Sequence, residues 1–133
     1  MTSVATALRW GVRGAGVVMV TLGVLFWTGN ADGLVAVHML VGVLIVLALW
    51  TMAVLAAVAG APPGQVALAV VWGFVVPVLG VTQERLLPGG PHWVIQVLHL
   101  LVGLFAIAQV EGLAQAVNRG RNRGAAAAPE RAR

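Results

Sequence analysis

Two histidines, His38 and His99, lie inside long apolar stretches, and each is followed four residues later by a glycine, Gly42 and Gly103. Ionisable side chains are costly inside a bilayer and mark functional sites there by default. Two imidazoles facing each other at one depth suit axial ligation of a haem iron, because neutral imidazole nitrogen is a good iron ligand. A glycine four residues on lies one turn along on the same helix face. Its missing side chain leaves room for a flat macrocycle. A hydrogen-bonded structural pair is the plainer alternative. A zinc site calls for four ligands, and no acidic or cysteine partner sits at that depth. A proton relay calls for Asp or Glu within the membrane, and none is expected there.

Composition says what must hold these residues. Of 133 residues, 60% are hydrophobic and 9% charged, against about 25% charged in a soluble domain. A soluble chain this short could not bury so much apolar surface. The absence of cysteine excludes a disulfide framework, thiolate metal sites, iron–sulfur clusters and covalently attached c-type haem. The net charge of +4 comes largely from arginines after the last apolar stretch. That pattern fits a cytoplasmic flank of a membrane helix, with no nucleic-acid partner expected.

Four apolar stretches, about 8–28, 34–59, 65–82 and 92–117, each approach the ~20 residues that cross a ~30 Å hydrocarbon core. Gly- and Pro-rich connections separate them: Gly29 to Gly33, Gly60 to Gly64, and Gln83 to Pro91 with its Pro88-Gly89-Gly90-Pro91 run. Short connections imply antiparallel neighbours. The fold class expected is all-α, an integral membrane four-helix up-down bundle over residues 1–118. Residues 119–133 read as a disordered basic tail without apolar periodicity. Arg9 and Arg13 open the first helix and five arginines follow the fourth, while only Arg85 lies in the opposite loops. The expectation is a multi-pass protein of the cell membrane with both termini cytoplasmic. Trp10, Trp27 and Trp93 fall at the interfaces. A cleaved signal peptide is the competing reading of the first stretch.

An internal duplication argues that this stretch is retained. Leu22-Gly23-Val24 recurs as Leu79-Gly80-Val81, and Gly16 has its counterpart in Gly73. His38-Met39-Leu40-Val41-Gly42 recurs as His99-Leu100-Leu101-Val102-Gly103. The second offset exceeds the first by the extra length of the third connection. Two parallel helical-hairpin repeats, related by an axis along the membrane normal, would bring the histidines to one depth on opposite sides of the centre.

The first and third helices match this arrangement. Arg9, Arg13, Gly16, Val20, Gly23 and Trp27 share one face, as do Gly73, Pro77, Gly80 and Glu84. Gly16, Gly23, Gly73 and Gly80 would present flat faces to a macrocycle, or else only let helices pack closely. Gln96 shares the face of His99 and could hydrogen-bond an imidazole or a carboxylate. His92 and Arg85 lie where haem propionates would emerge, though a plain solvated loop histidine is the better reading of His92. Glu111 is expected to be solvated, and Trp50, Trp72, Met39 and Met52 to be packing residues.

With His38 and His99 on the second and fourth helices and glycines at 16, 23, 73 and 80 on the first and third, the chain resembles the membrane b-type cytochromes. In that family, histidines on those helices ligate haem and glycines approach the porphyrin. The two-haem members carry a second histidine about four turns further along each ligand helix. Met52 and Leu113 stand there, so the resemblance implies one haem b. The chain is also similar to a half-size haem A synthase, but Gly33-Leu34-Val35-Ala36-Val37 lacks that family's glutamate before the histidine. The resemblance implies an electron carrier, with a quinone or an extracytoplasmic redox protein as partner; if an enzyme, it would be an oxidoreductase. The alternative is a haem-free membrane protein: an assembly factor, a transporter subunit or a quinone-binding module.

Overall fold

The computed structural model describes residues 2–127. It is all-α: α1 spans Thr2–Trp27, α2 Val35–Val58, α3 Pro63–Thr82 and α4 Trp93–Ala127. Single 3-10 turns at Asp32–Leu34, Gln83–Arg85 and Gly90–His92 start or end the helices at the histidine end. All four helices are long and apolar enough to cross a membrane, and their outward faces are lined with exposed Val, Leu, Phe and Trp. This is a multi-pass membrane protein.

Local chemistry sets the helix ends. Gly29 adopts φ +73° and Gly60 φ +78°, a left-handed geometry that glycine enters without steric cost. At the first, Asn30 N–H reaches Leu25 O at 2.8 Å and Gly29 N–H reaches Phe26 O at 3.0 Å. At the second, Ala61 N–H reaches Ala56 O at 2.9 Å and Gly60 N–H reaches Ala57 O at 3.0 Å. Both are Schellman closures, which satisfy the carbonyls that a helix end leaves bare. Pro63 opens α3 at a position where a missing N–H costs nothing.

α2 and α4 pack against each other, and α1 and α3 occupy the two flanks without forming a packed pair. An axis through the α2–α4 contact therefore exchanges α1 with α3, as two parallel hairpin repeats require. The core is uneven along this axis. Leu49, Met52, Ala53, Ala56, Ala69, Ala106, Val110 and Leu113 are at most 1% exposed, and all lie in the half that carries both chain ends. The opposite half, with His38 and His99, buries only scattered side chains such as Leu22 and Ile95.

One boundary differs from expectation. α4 continues through Arg119, Arg121 and Arg123 to Ala127, where an irregular tail from Arg119 was expected. Alanine and arginine rank high in helix propensity, and a preceding helix removes the nucleation cost. Residues 128–133 of that tail lie outside the described residues. The helix beyond the bundle core is also held. A side chain on Gly120 would collide with the backbone carbonyl of Ala59, so α4 passes the α2–α3 connection at glycine contact.

Candidate functional site at the histidine pair

α2 and α4 both begin at the same end of the bundle, so residues one to two turns into each helix come level. His38 and His99 meet there, with ring centres 6.2 Å apart and planes inclined by 39°. Both side chains are half-buried. Phe26 of α1 stands edge-on to His38 at 5.4 Å. From α3, a side chain on Gly80 would lie 3.5 Å from His99 Cε1. The two flanking helices thus approach the pair from opposite sides.

The Nδ1 atoms of both imidazoles are buried and have no hydrogen-bond partner. An unpaired buried polar atom costs about 1–3 kcal/mol. Two such atoms occur here on neighbouring imidazoles, whose ring centres are 6.2 Å apart. Among the described residues no three His, Cys, Asp or Glu side chains gather around a metal position, so the donor set is two imidazoles and nothing more. Two imidazoles and no carboxylate fit an ion whose remaining coordination comes from a macrocycle.

No family model matches this chain, and no curated protein or solved structure does.

The glycines expected around the pair divide into two groups. Gly23 and Gly103 have nothing within 4 Å of where a side chain would begin, and Gly42 faces only the flexible end of Met19, at 3.4 Å. With Gly80, these four border the open half of the bundle. Gly16 and Gly73 correct the expectation: each is filled by a neighbouring side chain, Ile107 against Gly16 and the Trp50 indole against Gly73. They sit toward the packed half, where small residues admit close helix contact. Gln96 is half-buried and pairs with neither imidazole. In the adjoining connection, His92 Nδ1–H donates to the Leu86 carbonyl at 3.2 Å, which holds the connection back against the start of α4.

Three features had not been read from the sequence. Glu111, expected to be solvated, is ion-paired: Arg9 Nε donates to Oε2 at 2.7 Å, and Arg13 reaches both carboxylate oxygens, Nε to Oε1 at 2.6 Å and Nη2 to Oε2 at 3.0 Å. A carboxylate brought into an apolar segment needs such partners, and two arginines on one face of α1 supply them. Trp50 and Trp72 do more than fill space. Trp50 Nε1 donates to Val70 O at 3.1 Å and Trp72 Nε1 to Val102 O at 3.0 Å, tying α2 to α3 and α3 to α4. Gln109 is buried in the packed half with neither amide atom paired.

Proposed function

We propose that this chain is a membrane-embedded haem b protein for electron transfer, holding one haem between His38 and His99. The observation that carries the reading is the ring separation. The ring centres stand 6.2 Å apart, and among the described residues no third His, Cys, Asp or Glu gathers with them. The open ground at Gly23 and Gly103 supports the reading, as does the light contact at Gly42 and Gly80, and Phe26 and Met19 are the side chains that would turn aside.

Bound there, the group would supply one-electron chemistry, and two histidine ligands would favour electron transfer over oxygen binding. The residues have separate tasks. His38 and His99 would hold the group from two different helices. The apolar flanks of α1 and α3 exclude water. The arginine distribution supports cytoplasmic termini. The haem would then lie in the outer half of a cell-membrane bilayer, and its exchange partner would be a quinol or a redox protein on the extracytoplasmic side.

An absorption spectrum of protein purified with adequate haem supply tests this. The expected result is one haem per chain with a six-coordinate low-spin spectrum in both redox states. His38→Ala and His99→Ala should each remove at least nine-tenths of it, with helix content unchanged by circular dichroism, while His92→Ala retains it. A preparation without a Soret band, or a band surviving loss of both histidines, overturns the reading in favour of a haem-free bundle. Orientation has its own test. Cysteines at Asp32 and Gly89 should react with an impermeant thiol reagent in intact cells, and one at Asn122 should not.

A further inference from the structure

At the opposite end from the histidines, α1 and α4 enclose a second site that the haem reading does not use. Arg9 and Arg13 share the single carboxylate of Glu111, which leaves one net positive charge. The sharing also leaves donors over: Glu111 takes only Nε from Arg9, and Nε and Nη2 from Arg13. Among the described residues, neither terminal nitrogen of Arg9 nor Nη1 of Arg13 has a protein acceptor. The Arg13 guanidinium is steadied from one side by Trp10, whose ring centre lies 4.7 Å from Cζ.

From this cluster an open groove of about 450 Å³ runs toward mid-membrane between α1 and α4, lined by Arg13, Gly16, Val17, Val20, Thr21, Leu104 and Ile107. Thr21 donates its hydroxyl to Val17 O at 2.9 Å, so apart from the arginine at its foot the lining is almost wholly apolar. It opens to the lipid-facing surface, where Val17 is 68% exposed. The depth is that of a headgroup. Glu111 lies eighteen residues along α4 from Trp93, about 27 Å at 1.5 Å per residue, close to the far boundary of a ~30 Å core.

We propose that this is a binding site for one anionic glycerophospholipid of the leaflet on the side of the chain termini. Its phosphate sits on the free N–H donors of Arg9 and Arg13, and one acyl chain lies in the groove. Guanidinium donors match phosphate oxygens in geometry as well as charge. The groove selects for a lipid over a free anion, because an inorganic phosphate would leave it empty. The net charge of the cluster selects against zwitterionic headgroups.

The test is native mass spectrometry of the full chain in detergent, titrated with phosphatidylglycerol, with phosphatidylcholine of the same acyl chains, and with inorganic phosphate. One phosphatidylglycerol should be retained per chain at a concentration at least tenfold below that needed for phosphatidylcholine, and phosphate should not be retained. Arg13→Gln should reduce that preference to twofold or less. Val17→Trp fills the groove from an exposed position without touching the arginines, so it decides the matter if Arg13→Gln fails to fold; it should lower retention of phosphatidylglycerol tenfold. Replacing Arg119, Arg121 and Arg123 together by Gln should leave retention unchanged. Equal retention of the two lipids, retention of phosphate alone, undiminished binding in Val17→Trp, or loss of binding in the triple variant would each overturn the proposal.

Discussion

The half of the bundle that carries both chain ends and the half that carries the histidines are made by the same four helices, yet they treat interior space in opposite ways. In the first, Leu49, Met52, Val110 and Leu113 are almost fully enclosed, Trp50 presses on Gly73 and Ile107 on Gly16, and an ion-paired carboxylate ties α1 to α4. In the second, Gly23 and Gly103 face open ground, and two imidazole nitrogens stand buried without partners. A membrane bundle gains its cohesion from close packing and interhelical hydrogen bonds, since lipid tails are as apolar as leucine. The packed half supplies that cohesion. The other half can then remain loosely filled around two unpaired imidazole nitrogens, which an isolated bundle would not tolerate along its whole length.

If the packed half holds the molecule together, a cavity there should weaken the whole bundle. Leu113→Ala should cost about 2 kcal/mol, the low end for a buried leucine, because in lipid the cavity term remains while the transfer term is lost. Reversible unfolding in mixed micelles measures this. A variant as stable as the parent would show that the fully buried residues of this half do not set the stability.

The converse test adds bulk to the open half. Gly103→Leu meets no neighbour within 4 Å of its first side-chain carbon, and Gly42→Leu meets only the mobile end of Met19. Both should insert and fold as the parent does without haem. With haem supplied, each should lower occupancy, since overpacking a filled pocket costs about 1–3 kcal/mol. The haem-to-protein absorbance ratio reads the difference. Full occupancy in both variants would mean that these glycines do not border a ring.

How much of this was readable before the structure follows from the range of each interaction. Helix number and ends were legible because apolar length and the glycines at 29 and 60 act locally. The meeting of His38 and His99 was legible through the repeat, which fixes relative depth without any knowledge of packing. By contrast, Gly16 and Gly23 look alike in sequence and differ only in what α4 places opposite them. The helical course of residues 119–127 had a local signal in its alanines and arginines, which the lack of apolar periodicity masked. Glu111 had only a partial signal: Arg9 and Arg13 share a face of α1, but nothing local says that a residue about a hundred positions away closes on them.

That ion-paired cluster gives the smallest expected effect and the sharpest view of how the packed half works. Its three side chains are between 23% and 40% exposed, so their attraction is partly screened, and pairs of this kind contribute roughly 0–1 kcal/mol. Glu111→Gln keeps the shape and one acceptor while removing the charge. Arg9 and Arg13 then face each other uncompensated, and each must turn toward headgroup water or phosphate, which their position near the boundary allows by snorkelling. The expected loss in unfolding free energy is therefore about 1 kcal/mol, smaller than that of Leu113→Ala, and it should shrink in micelles doped with anionic lipid, where phosphate replaces the missing carboxylate. Haem occupancy should be unchanged, because the cluster lies at the far end from His38 and His99. A loss larger than that of Leu113→Ala would place the cohesion of the packed half in its charges and not in its apolar contacts.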